Sequence, residues 1–82
     1  KLIQTLTGHT NTVMSASYSP DGTKIVSASS DNTLKIWDAN TGSCLQTLTG
    51  HTFAVRSASY SPDGTKIVSA SSDNTIKIWG LE

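Results

Sequence analysis

The sequence predicts an all-β chain, two copies of one four-stranded antiparallel unit joined in tandem. Three observations carry this. The 82-residue chain repeats with a period of 42 residues, and 30 of 40 aligned positions are identical. Its segments are rich in Thr, Ser, Val and Ile, and turn signals interrupt them about every 8–12 residues. One strand in each copy is small on both faces, which suits a sheet packed on both sides. A period of about 40–45 residues points to radial β-architectures or helical arrays, and the turn spacing argues against helices.

Taken in order, Leu2 to Leu6 reads as a first strand, with Cys44 to Leu48 as its counterpart. Gly8-His9-Thr10 follows and recurs as Gly50-His51-Thr52. Val13 to Tyr18 and Val55 to Tyr60 form the next strand of each copy, and Ser15-Ala16-Ser17 and Ser57-Ala58-Ser59 are its small residues. Ser19-Pro20-Asp21-Gly22 is a turn: Pro presets φ, and Gly supplies the freedom a tight reversal needs. Thr23 to Ala28 is the third strand. Asp31-Asn32-Thr33 is a second tight turn, since Asp and Asn can bond their own backbone. Leu34 to Trp37 is the fourth strand, and Asp38 to Gly42 leads into the second copy.

Six basic residues balance six acidic ones, so charge gives no reason to expect nucleic acid or an acidic membrane as partner. Only 15% of residues are charged, against about 25% in a typical domain, which leaves a free monomer at risk of association. No apolar run approaches the roughly 18 residues of a membrane span. Lys1 to Leu6 is too short for a signal peptide, so a natural chain of this kind is expected to be soluble and cytoplasmic. The chain starts at Lys1 without an initiator methionine, which reads as a fragment or a designed repeat. Cys44 is the only cysteine, so no intrachain disulfide or Cys-based metal site is expected.

The Gly-His pair, the Ser-Pro-Asp-Gly turn, the Val-Ser-Ala-Ser-Ser-Asp stretch and the Ile-Trp-Asp ending occur in that order in the first copy. In the second, Trp79 is followed by Gly80 in place of Asp. This set resembles the WD-repeat β-propeller family over nearly the whole chain. The resemblance implies blades of four antiparallel strands around a central channel. It also implies a hydrogen-bonded tetrad in each repeat: His9, Ser27, Asp31 and Trp37, then His51, Ser69, Asp73 and Trp79. A carboxylate would hold an imidazole N–H, the imidazole would meet the hydroxyl, and the hydroxyl would meet the indole N–H.

In that family the repeat is out of step with the blade, because the strand before Gly-His belongs to the preceding blade. Residues 8–48 then make the first blade, and residues 50–80 supply only three inner strands of the second. Residues 1–7, with Leu2, Ile3, Gln4, Thr5 and Leu6 as the strand, are expected to be donated to the second blade of a neighbouring copy. Open sheet edges invite such pairing, and the head-to-tail contact closes into a ring if the rotation allows. Two blades per chain permit only even totals. A seven-bladed ring, at about 51° per blade, is therefore excluded for this chain alone, and eight blades at about 45° lie nearer that geometry than six at about 60°. A homotetramer is preferred to a trimer.

A Ser, His, Asp set raises the question of hydrolysis. A nucleophilic serine must be exposed in a cleft beside an oxyanion site, whereas Ser27 and Ser69 lie in mid-strand without a Gly-rich elbow. No catalytic residue is assigned. Two histidines 42 residues apart match no common metal-ligand spacing, and no phosphate loop or dinucleotide motif is present, so neither metal nor cofactor is expected. The copies differ at Asn11, Thr12 and Met14 against Phe53, Ala54 and Arg56 within an unchanged frame. By resemblance these residues face the top of the ring, and Thr12, Met14, Ser30, Phe53, Ala54, Arg56 and Ser72 are the candidate surface for a protein or peptide.

Overall fold

The computed structural model describes residues 1–81. Its strands are β1 (Val13–Tyr18), β2 (Lys24–Ser29), β3 (Thr33–Asp38), β4 (Cys44–Thr49), β5 (Val55–Tyr60), β6 (Lys66–Ser71) and β7 (Ile76–Gly80). They form two antiparallel meanders: a four-stranded sheet in the order β1-β2-β3-β4 and a three-stranded sheet in the order β5-β6-β7. No helix occurs among the described residues. Strand limits differ from the sequence expectations by one residue at several ends.

Three features of turn chemistry fix the meanders. Gly22 and Gly64 each hold φ near +75°, where a side chain would be strained, and their N–H groups close the turns onto Ser19 and Ser61 at 2.9 Å. Asn32 and Asn74 take the left-handed conformation at φ 74° and 71°, which Asn tolerates better than most residues. Asp21 Oδ1 accepts from the Thr23 N–H at 3.0 Å and the Ser19 hydroxyl at 2.7 Å, so one carboxylate staples its own hairpin. A bulge lies at Val13/Ser15 in β1 and recurs at Val55/Ser57 in β5. It sets Met14 and Arg56 apart from the regular alternation, and both are exposed.

The core lies between the sheets. Val26, Ala28, Leu34, Ile36 and Leu48 from the first sheet meet Val55, Ala58 and Ile67 from the second, with Tyr60, Trp79 and Leu81 packed against them. Each sheet thus offers one apolar face to its sister, and the other apolar faces are left open. Leu34 and Ile36 are 0% and 3% exposed, while their repeat equivalents Ile76 and Ile78 are both 72% exposed. Val55 is fully buried, while its equivalent Val13 is 51% exposed.

Leu2 to Leu6, expected as an outer strand, belongs to neither sheet. Its apolar side chains at Leu2 and Ile3 are strongly exposed. The physical reason is topological. The segment leads into Gly8, which packs on Trp37 of the first sheet, and it runs beside the turn at Gly42, where a Cβ would collide with the Gln4 amide. The edge it would match in sequence, β7, belongs to the other sheet.

Candidate functional site

The most organised polar constellation occurs twice, once in each repeat, where the loop after Gly-His crosses β2 or β6. His9 Nδ1 lies 2.8 Å from Asp31 Oδ2, and His9 Nε2 lies 2.6 Å from Ser27 Oγ. Trp37 Nε1 donates to the same Ser27 Oγ at 2.8 Å. In the second repeat the distances are 2.8 Å for His51 Nδ1 to Asp73 Oδ2, 2.7 Å for His51 Nε2 to Ser69 Oγ, and 2.9 Å for Trp79 Nε1 to Ser69 Oγ. All eight named residues therefore come together as two sets of four. The partners assign one proton order: indole N–H to hydroxyl oxygen, hydroxyl to Nε2, and Nδ1–H to carboxylate. A neutral imidazole satisfies every group in that chain.

Local structure explains why these residues meet. In β2, Ser27 alternates with Val26 and Ala28, so the hydroxyl points away from the inter-sheet core that its neighbours build. Trp37 lies one strand over, beside Ile25 in the β2–β3 register, and Asp31 caps the connecting turn. Gly8 and Gly50 let the loop lie on the indole: a Cβ at either position would stand 3.0 Å from Cη2 of Trp37 or Trp79. An alanine at Gly8 or Gly50 would force the ring or the loop to move.

Several partners escaped the sequence reading. The Thr33 hydroxyl and N–H donate to Asp31 Oδ1, and the Thr10 N–H donates to Asp31 Oδ2 at 3.1 Å. Thr75 and Thr52 repeat this at Asp73. Ser29 Oγ accepts from the Asp31 N–H at 3.0 Å and donates to the Asn11 carbonyl at 3.4 Å, with Ser71 in the same place in the second repeat. The signal was present: Ser-x-Asp-x-Thr spacing in Ser29, Asp31 and Thr33 places short hydrogen-bonding side chains two residues apart around a turn.

These donors govern the carboxylates. Burial alone would raise Asp31, but the Thr33 hydroxyl, His9 and the backbone N–H groups of Thr10 and Thr33 hold it well below the usual range. At Asp73 the Thr75 hydroxyl leads the same effect, aided by His51, Thr52 and the Thr75 N–H. At the hairpins, the Thr23 N–H with the Ser19 and Thr23 hydroxyls lowers Asp21 to about 2, and the Thr65 N–H with the Ser61 and Thr65 hydroxyls lowers Asp63 to about 2. A folded-state pKa below the unfolded value of about 3.9 gives stability that is complete above that pH and lost as pH falls. The urea midpoint should therefore fall between about pH 4 and pH 2 through all four carboxylates, with the loss from Asp31 and Asp73 continuing further down. A midpoint that holds or rises over that interval would contradict this.

The geometry of Ser27, His9 and Asp31 has the order of a hydrolytic triad, but access differs. Ser27 and Ser69 are only 4% and 1% exposed, and each oxygen already accepts an indole N–H. A cleft of about 400 Å³ lies at the Ser19–Gly22 end of the sheets, lined in part by Pro20, Ile36, Tyr60 and Leu81 and by no tetrad residue. Among the described residues no group of three or more His, Cys, Asp or Glu is placed to hold a metal ion. The second candidate surface lies at the loop end. The Ser30 N–H bonds the Thr12 carbonyl at 2.8 Å, and the Ser72 N–H bonds the Ala54 carbonyl at 2.9 Å. Phe53 is 62% exposed beside Ala54, and Met14 and Arg56 project from the bulges.

Two meandering sheets, each locked by a buried His-Ser-Asp-Trp set and stacked through one apolar face, define tandem blades of an all-β repeat protein. The WD domain, G-beta repeat family model matches residues 1–38 and again 42–80, and the chain belongs to this family. Such repeats typically serve as non-catalytic scaffolds for protein interaction. The chain is 47% identical over 38 residues to Periodic tryptophan protein 2 of Saccharomyces cerevisiae, covering 46% of this chain and 4% of that protein. It is 57% identical over 40 residues to Vegetative incompatibility protein HET-E-1 of Podospora anserina, covering 49% of this chain and 3% of that protein. Ribosome assembly protein 4 of Saccharomyces cerevisiae is 50% identical over 42 residues, covering 51% of this chain and 8% of that protein. The chain thus spans less than a tenth of each of these relatives.

Proposed function

We propose that the chain is a non-catalytic module that assembles head-to-tail with copies of itself into a closed propeller. One observation carries this reading: the open face of each sheet is the repeat copy of a face that is buried inside the chain. Ile76, Ile78 and Val68 correspond to the buried Leu34, Ile36 and Val26, while Val13 and Tyr18 correspond to Val55 and Tyr60. A second chain stacked as the first sheet stacks on the second would bury both sets. Full burial of one such side chain contributes roughly 1.5–3 kcal/mol.

The unpaired segment completes the geometry. In the first sheet Leu34 pairs with Leu48, Lys35 with Thr47, Ile36 with Gln46 and Trp37 with Cys44. Moved by one repeat, the same register sets Leu6 of one chain beside Ile76 of the next, Thr5 beside Lys77, Gln4 beside Ile78 and Leu2 beside Trp79. The domains are then residues 1–7 as the donated strand, 8–48 as the first blade and 50–80 as the acceptor of the second. Four chains giving eight blades are preferred to three giving six. The tetrads act structurally in this reading, tying each crossing loop to its blade. Native mass spectrometry at micromolar concentration tests it: a closed species of four chains, or of three, is expected, and a folded monomer would overturn it.

A second reading takes the chain as part of a longer natural propeller that binds a protein or peptide on the loop end, at Thr12, Met14, Ser30, Phe53, Ala54, Arg56 and Ser72. The exposure of both Phe53 and Arg56 favours it, because exposed aromatic and Arg side chains are common interface anchors. It is compatible with ring assembly, since these residues lie on loops or at the strand bulges and none belongs to the apolar cluster between the sheets.

A further inference from the structure

We infer that the outer-strand place of the first blade is exchangeable: the amino-terminal segment of one copy can replace β4 on the β3 edge of another. This rests on the head-to-tail reading, because the same segment is the donor there.

The donors are close to interchangeable. Gln4-Thr5-Leu6-Thr7 is identical to Gln46-Thr47-Leu48-Thr49, and Leu2 and Ile3 stand where β4 has Cys44 and Leu45. The differences favour the invader, since Leu2 is larger than Cys44 and the β-branched Ile3 suits a strand better than Leu45. The acceptors match as well: Thr33-Leu34-Lys35-Ile36-Trp37 differs from Thr75-Ile76-Lys77-Ile78-Trp79 only at the second position. Side chains therefore hold little information that would direct Leu2–Leu6 to β7 rather than to β3.

Strand β4 is also lightly held. Of its six residues only Leu48 is buried. Beyond the ladder, its side-chain bond to β3 is Lys35 Nζ to Thr47 Oγ1 at 2.9 Å. Leu6 and Thr5 would reproduce both contacts in the register already described. The advantage of β4 is its covalent link through the short turn from Asp38 to Gly42, which gives it a high effective concentration. Exchange is thus slow, rises with protein concentration, and converts closed rings into open or larger strand-swapped assemblies.

The test mixes preformed proteins that all carry Cys44→Ser. One has Thr5→Cys, a second Lys35→Cys and a third Lys77→Cys, and a short thiol-to-thiol cross-linker traps neighbours. A Thr5–Lys77 heterodimer reports head-to-tail closure, and a Thr5–Lys35 heterodimer between chains reports exchange. Adding Leu48→Ala to the Lys35→Cys protein should speed the second product about tenfold, because it removes most of the buried side chain that secures β4. Should that variant fail to fold, the pair without it still decides. The Thr5–Lys77 product alone would overturn exchange and leave closure standing. The Thr5–Lys35 product alone would support exchange and overturn closure. Neither product, absent also when the three proteins are refolded together from urea, would overturn both.

Discussion

Replacing Ile76 and Ile78 together by aspartate is expected to reduce the proposed head-to-tail assembly to single chains. Both side chains are 72% exposed in the lone chain, so the substitutions remove little from its own core. Their equivalents Leu34 and Ile36 are buried between the sheets, and a copy stacked in the proposed way would cover Ile76 and Ile78 alike. Two lost isoleucines remove roughly 3–6 kcal/mol of apolar burial from each junction. Two carboxylates brought into the same contact without partners add a further penalty. The association constant should fall by more than about 100-fold, since each 1.4 kcal/mol is a factor of ten. Sedimentation velocity measures this directly. An unchanged sedimentation coefficient would show that this face is not an assembly surface.

The second large effect belongs to the tetrads. Ser27→Ala leaves the Trp37 indole N–H and the His9 Nε2 without their shared partner in a buried place. Each unsatisfied group costs about 1–3 kcal/mol, so the loss is about 2–6 kcal/mol from one missing oxygen. That is a large share of the roughly 5–15 kcal/mol that holds a typical domain. A domain of this size loses about 4–8 °C in Tm per kcal/mol, so a drop on the order of 10 °C or more is expected at fixed protein concentration. Ser69→Ala should act alike, because Ser69 holds Trp79 and His51 in the same way. A shift of about a degree would mean that the loop is held by other contacts, with Ser29 and Ser71 the first to test.

Much of the blade was legible because its signals are local. The hairpin at Ser19 to Gly22 needs a residue that tolerates positive φ and a side chain that bonds its own backbone, and both requirements are written in adjacent residues. Strand alternation likewise follows from period-two placement of Val26 and Ala28 against Ser27. The residues of the tetrads were reached through the repeat motif, since nothing in a lone His9 or Asp31 says that they meet 22 positions apart. The wider shell of Thr10, Ser29 and Thr33 was overlooked because Ser and Thr are abundant here, and only geometry separates the bonded ones from the solvated ones.

By itself the sequence determined the 42-residue unit, its strands and turns, and the side chains able to lock each loop. All of these depend on neighbours within a few residues or on a close internal copy. Tertiary structure alone decided which apolar face of each repeat is covered and which is left open, since Leu34 and Ile76 occupy equivalent positions yet differ from 0% to 72% in exposure. Burial and strand pairing depend on what stands on the far side of a sheet, and near-identical repeats carry no local mark of which copy has a neighbour.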